Sequence, residues 1–81
     1  MLNCHIHDYV EIACLYQILV RLTMKDSISF EGVAQDIVLN DSRQTCLLIK
    51  NDDGAHELIL DKIQSMQALI ENQHFNLVKF E

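Results

Sequence analysis

The spacing of apolar residues changes once near the start of the chain, and the change predicts where a helix gives way to strands. Residues 8–16 carry apolar side chains at intervals of three, four and seven, which is typical of a short amphipathic helix. These apolar positions are Tyr9, Ile12, Ala13 and Tyr16. Asp8 can be the N-cap, and Glu11 has the spacing of a capping box. Asp8, Glu11 and Leu15 fall on a different face of this helix.

From Ile18 the period becomes two, which indicates half-buried strands. In the first strand three apolar residues alternate with polar ones: Val20, Leu22 and Met24. Residues 25–27 form a polar break of hairpin length. A second strand runs from Ile28 towards Val38, and Gly32 inside it predicts a bend or bulge.

The second half of the chain reads as further strands separated by polar turns. A loop is predicted at 40–44, a strand at 45–50, a tight turn at 51–54 and a partner strand at 57–60 with Leu58 and Leu60 inward. Residues 63–71 fit a short helix or a packed loop, with 64–71 the more helical part. Residues 75–80 read as a last strand.

One helix and about five short antiparallel strands predict a mainly β fold. Strands this short protect their edges best by curling into a small barrel, and OB-like and Sm-like barrels both fit. The chain has 81 residues, two glycines and no proline, so we expect one domain over 1–81, with the helix at about 8–16 and barrel strands at about 18–80.

The charge of the chain limits the partners that it can have. Twelve Asp and Glu face six Lys and Arg, which gives a formal net charge of −6. Direct nucleic-acid binding needs basic residues to neutralise phosphates, so this balance argues against it. The negative charge favours a basic protein partner. Alternatively, it only keeps a small domain dispersed in water.

Catalytic and metal-site patterns are weak. Cys4, His5, His7 and Cys14 could ligate zinc, but no paired spacing such as C-x-x-C occurs. No nucleophile elbow or phosphate-binding glycine loop is present. We therefore expect no enzyme activity, no cofactor and no metal. The N-terminus resembles no signal peptide and no apolar run is of membrane-spanning length, so we expect a cytoplasmic protein with reduced thiols.

Several short motifs occur in an order that resembles a known family. They are NC at 3–4, EIAC at 11–14, KD at 25–26, DIV at 36–38 and LDKI at 60–63. Together they resemble the Rho-binding antiterminator family (Rof, also called YaeO) from residue 3 to about residue 63. No single motif is specific, whereas their order and nearly colinear spacing are.

The resemblance implies an Sm-like barrel of about five strands with an N-terminal α-helix. It also implies a non-enzymatic inhibitor that binds the hexameric terminator Rho and blocks its primary RNA-binding surface. The acidic helix positions of the family match Asp8 and Glu11, and the position before that acid, which can be aromatic in the family, is His7 here. The loop at 40–44 differs from the family in length and charge.

The predicted partner-binding residues lie at the N-terminus, on the helix and in that loop. They are Asn3, His7, Asp8, Glu11, Leu15, Asp41 and Arg43. Tyr9 is a further candidate for an apolar contact. We expect the free protein to be a monomer without direct nucleic-acid or membrane contact. Two alternatives stay open: an Sm-like RNA-binding protein, and a small acidic regulatory subunit of another basic protein.

Overall fold

In a computed structural model of the chain, residues 4–80 are described, with side chains from residue 6 onward. Helix α1 (Cys4–Leu15) precedes six strands: β1 (Leu19–Met24), β2 (Ser29–Leu39), β3 (Thr45–Asn51), β4 (Gly54–Ile59), β5 (Ile63–Ala68) and β6 (Leu77–Lys79). A single 3-10 turn, Leu60–Lys62, joins β4 to β5.

The strands form one antiparallel sheet in the order β4-β3-β2-β1-β5-β6. The mainly β class with an N-terminal helix is confirmed, while the strand count is six rather than five. In the described part of the chain β4 and β6 are the two edges, so backbone pairing does not close the sheet into a complete barrel.

Helix α1 begins at Cys4, four residues before the predicted start. Ile6, Val10 and Ala13, at i, i+4 and i+7, are its buried stripe. Tyr9 and Ile12 pack at the border of that stripe. Tyr16, predicted to be part of it, lies beyond the helix and is 58% exposed.

The helix ends in a Schellman motif built without glycine. The Ile18 amide donates to the Ala13 carbonyl at 2.9 Å, and the Gln17 amide donates to the Cys14 carbonyl at 3.2 Å. Gln17 has φ of +49°, in the left-handed region. Ile18 and Ala13 are both buried, which supplies the hydrophobic contact that often accompanies this cap.

Strand β2 is irregular, but not at Gly32 as predicted. Ala34 pairs with Ile49 and Asp36 with Leu48, so Gln35 is the extra residue of a bulge. At Gly32 an added Cβ would lie 2.9 Å from the Lys50 carbonyl oxygen. Glycine is therefore needed there for the close approach of β3.

Residues 63–68 form strand β5, so the prediction of a short helix or packed loop in this segment is wrong. Met24 pairs with Ile63 and Thr23 with Ser65, which leaves Gln64 unpaired in a second bulge. The bulge places Ile63 and Met66 both in the core. Their spacing of three residues imitates a helical period.

One hydrophobic cluster joins the helix to the sheet. Its largest fully buried side chains are Leu22, Leu47, Ile49, Leu60, Ile63 and Met66. The predicted inward positions Val20, Leu22, Leu58 and Leu60 are buried, whereas Met24 at the end of β1 is only partly buried against the core. Cys14 and Cys46 are free thiols. No helix among the described residues is long and apolar enough to cross a membrane.

Candidate functional site

The face of α1 that points away from the core carries the predicted contact residues. His7, Asp8, Glu11 and Leu15 are all exposed, because Ile6, Val10 and Ala13 turn the opposite side of the helix to the sheet. Residues three and four apart are neighbours on a helix surface, so these four side chains form one strip. We call this strip the acidic helix face.

Within this face His7 and Glu11 are close. The His7 Nδ1 atom lies 3.7 Å from Glu11 Oε1, and both side chains are about half exposed. The pair is ionic only when His7 is protonated. An exposed pair of this kind contributes little to stability, so Glu11 is available to an external cation at small cost.

Asp8 does not cap the helix. It lies in the interior of α1, four residues after Cys4, and the predicted capping box with Glu11 is therefore wrong. Because the carboxylate of Asp8 is not used for capping, it has no structural role that competes with binding a partner.

The C-terminal half of the acidic helix face borders a groove. Glu11, Cys14 and Leu15 of α1 line one side, and residues 35–37 of β2 line the other. Its volume is about 370 Å³. We call it the α1–β2 groove.

The carboxylates on the two sides of this groove act on the same thiol. Burial, together with the nearby Asp36 and Glu11 carboxylates, raises the pKa of Cys14 to about 11. Asp36 and Glu11 are therefore both near the Cys14 sulfur, although one belongs to the sheet and the other to the helix. At neutral pH the thiol is protonated and a poor nucleophile.

Asp36 is the charged residue of this groove that the predicted contact set lacks. Strand alternation beyond buried Gly32 and Ala34 would turn it inward, but the bulge at Gln35 leaves it exposed. The Asp36 Oδ1 atom accepts a hydrogen bond from the Ile37 amide at 2.8 Å. The sequence shows that residue 36 is acidic, but no sequence pattern predicts the bulge that turns Asp36 towards solvent.

The loop with Asp41 and Arg43 lies apart from the groove lining. The Asn40 side chain organises it: Asn40 Oδ1 accepts the amides of Ser42 and Gln44, each at 2.9 Å. Arg43 has φ of +62°. Five residues separate Asp36 from Asp41, which is about 16 Å along an extended chain.

The remaining predicted sites have different outcomes. Asn3 lies outside the described residues. Tyr9 is half-buried, and its ring makes an edge contact with Phe75 at 5.9 Å between centroids, so most of it belongs to the core. Among residues 6–80, no group of three or more His, Cys, Asp and Glu side chains could hold a metal ion.

Just beyond the acidic helix face, Tyr16 stacks on His74. The two ring centroids are 4.6 Å apart with 17° between the planes, and both side chains are exposed. The contact ties the end of the helix to the loop before β6. It was not predicted, because 58 residues separate the two rings along the chain.

Comparison with known proteins identifies a family and a similar solved structure. Residues 1–80 match the family model described as "Modulator of Rho-dependent transcription termination (ROF)". Among solved structures, "YaeO bound to Magnesium from Vibrio cholerae O395" superposes with a TM-score of 0.89 and is 38% identical. That match covers 91% of this chain and 96% of the other. No curated protein gave a match.

Proposed function

Since this chain belongs to the ROF family of modulators of Rho-dependent transcription termination, we propose that it binds Rho and covers Rho's primary RNA-binding surface. Rho then cannot load on the transcript, and termination fails. The observation that carries the proposal is the acidic helix face, where Asp8 and Glu11 are exposed on a chain of net charge −6.

Charge complementarity supports this mechanism. A surface that holds RNA must present Lys and Arg to the phosphates. Carboxylates fixed on a helix can bind the same cations and steer the encounter between the two proteins. Exposed ion pairs are individually weak, so a stable complex also needs apolar area. Leu15, 74% exposed beside Glu11, supplies some of it.

The proposed interface includes four further residues besides Asp8, Glu11 and Leu15. His7 belongs to the acidic helix face, and Asp41 and Arg43 in the loop at 40–44 contact Rho at a second place. Asn3, a polar residue near the start of the chain, is proposed as a further contact. The protein acts as a monomeric single domain, without enzyme activity, in the cytoplasm where transcription occurs.

Displacement of a labelled cytidine-rich RNA from purified Rho tests the proposal. Wild type is expected to release the RNA, and to do so less well as salt rises. The double variant Asp8→Ala, Glu11→Ala is expected to need at least tenfold more protein, which corresponds to about 1.4 kcal/mol. The matched control is Asp52→Ala, Asp53→Ala, which removes two exposed carboxylates from the β3–β4 turn.

Circular dichroism establishes that each variant is folded. Failure of wild type to displace RNA would show the proposal to be wrong. Retention of RNA by the protein itself would instead support the Sm-like RNA-binding alternative. If the helix variant and the control lost RNA-displacing activity equally, net charge would be responsible and no defined site on the helix would be needed.

A further inference from the structure

The α1–β2 groove combines apolar and anionic sides. Leu15 and Ile37 give it apolar surface, and Glu11 and Asp36 give it carboxylates on opposite elements. The groove is a solvent-open depression of about 370 Å³. The groove therefore has room for a protein side chain.

The position of Asp36 is fixed by the backbone. The bulge at Gln35 exposes it, and its hydrogen bond from the Ile37 amide restrains the carboxylate. Two ion pairs occur in the described part of the chain, His7–Glu11 and Arg21–Glu31. Neither involves Asp36, and the first contains only a titratable imidazole as its cation.

We propose that the α1–β2 groove seats one lysine or arginine side chain of Rho's RNA-binding surface. Long basic side chains place their aliphatic stems on apolar surface and keep the charged head at a polar edge. Here the stem lies on Leu15 and Ile37, and the head lies between Glu11 and Asp36. The inference rests on the proposed function and adds Asp36 as a specificity-determining residue.

This occupant fits the groove better than a wholly apolar or wholly polar group. An apolar side chain would leave two carboxylates partly desolvated without a partner, which is costly. A hydrated cation would not use the apolar side. A basic side chain can pair with the carboxylates and also cover the apolar side of the groove. Lys and Arg are the side chains that an RNA-binding surface presents.

The test uses Asp36→Asn, Glu11→Gln and the double variant in the RNA-displacement assay with intact Rho. Asparagine keeps the Oδ1 acceptor for the Ile37 amide, so the fold is preserved. Asp36→Asn is expected to raise the half-displacing protein concentration about five- to tenfold. Asp52→Asn, the matched control with the same loss of charge, is expected to change it less than about twofold.

The double variant separates one shared cation from two independent contacts. If Glu11 and Asp36 bind the same side chain, the loss in the double variant is smaller than the product of the two single losses. Losses that multiply would overturn the inference of one shared occupant. Leu15→Ser is expected to weaken displacement as well, since it removes the apolar support of the stem.

Three results would overturn the inference in different ways. If wild type displaces RNA while Asp36→Asn behaves like Asp52→Asn, the groove is not a contact and the proposed function stands. If wild type fails to displace RNA, the proposed function itself is wrong. If sedimentation finds a dimer that Asp36→Asn dissociates, the occupant of the groove is a second copy of this chain.

Discussion

At the scale of single residues, Gly32 shows how tightly the sheet is packed. Its missing side chain allows the Lys50 carbonyl oxygen to approach within 2.9 Å of where a Cβ would lie. Because the obstructing atom belongs to the backbone, β2 and β3 would have to separate to admit a methyl group. The glycine is therefore a requirement of packing, and its backbone has no unusual φ.

We predict that Gly32→Ala lowers the free energy of unfolding by about 1–3 kcal/mol, the usual cost of overpacking. Urea denaturation followed by circular dichroism measures the loss. Ser29→Ala, at an exposed position of the same strand, is the control and is expected to change stability by less than about 0.5 kcal/mol. Equal stability of Gly32→Ala and wild type would contradict the close approach.

Residue-level prediction from sequence succeeded where alternation was regular and failed where a bulge interrupted it. Val20 and Leu22 are buried as predicted, because no residue is inserted in that part of β1. The glycine was recognised as special for the wrong reason. The bulge lies at Gln35, a residue type with no particular preference for one.

At the scale of elements, the extended N-terminus of α1 changes what Asp8 does. Replacing an N-cap Asp by Ala would lower the stability of the protein by about 1 kcal/mol. Asp8 is instead an exposed residue inside the helix, where Ala has the higher helix propensity. Its conservative replacement should therefore leave the fold intact.

We predict that Asp8→Ala leaves the free energy of unfolding unchanged or raises it by up to about 0.7 kcal/mol, while RNA displacement from Rho weakens. Thermal unfolding and the displacement assay on the same preparation measure the two effects. Val10→Ala, in the buried stripe, is the contrasting variant and is expected to lose about 2 kcal/mol. Destabilisation by Asp8→Ala near 1 kcal/mol would restore the capping interpretation.

Strand β5 shows why the element types could not all be predicted from local pattern. Ile63 and Met66 have helical spacing, and only pairing of β5 with β1 and β6 decides in favour of a strand. Those partners are about 40 residues upstream and 12 downstream. The four earlier strands were each predicted from alternating patterns and turn signals, although the bulge in β2 was not.

At the scale of the whole molecule, we expect the net charge of −6 and the carboxylates of the α1–β2 groove to affect different rate constants of the proposed complex with Rho. Diffuse charge steers the encounter, whereas groups buried in the interface set the lifetime of the complex. Remote carboxylates such as Asp52 and Asp53 belong to the first class. Glu11 and Asp36 belong to the second.

We predict that Asp52→Asn, Asp53→Asn slows association with immobilised Rho by less than about twofold at 0.1 M salt, where the Debye length is about 10 Å. That difference should vanish at high salt. Glu11→Gln, Asp36→Asn should chiefly accelerate dissociation, and at every salt concentration. Biolayer interferometry resolves both rates. If Glu11→Gln, Asp36→Asn slowed association without accelerating dissociation, the groove would not lie inside the interface.

The candidate site was only partly predictable at this scale. The acids of α1 follow from the helical pattern together with the family resemblance. Asp36 becomes their neighbour only because β2 bulges and the helix packs across it. Two elements must be folded before that proximity exists, and no local pattern in the sequence contains it.

Because α1 is held in place by the sheet, we do not expect the isolated helix to replace the whole domain in binding Rho. A 12-residue helix is marginal in water by itself, and here Ile6, Val10 and Ala13 hold it against the sheet. A synthetic peptide of the helix would spend most of its time as coil and would lack the β2 side of the groove. Any inhibitor derived from this protein must therefore keep the scaffold or replace its constraint with a chemical staple.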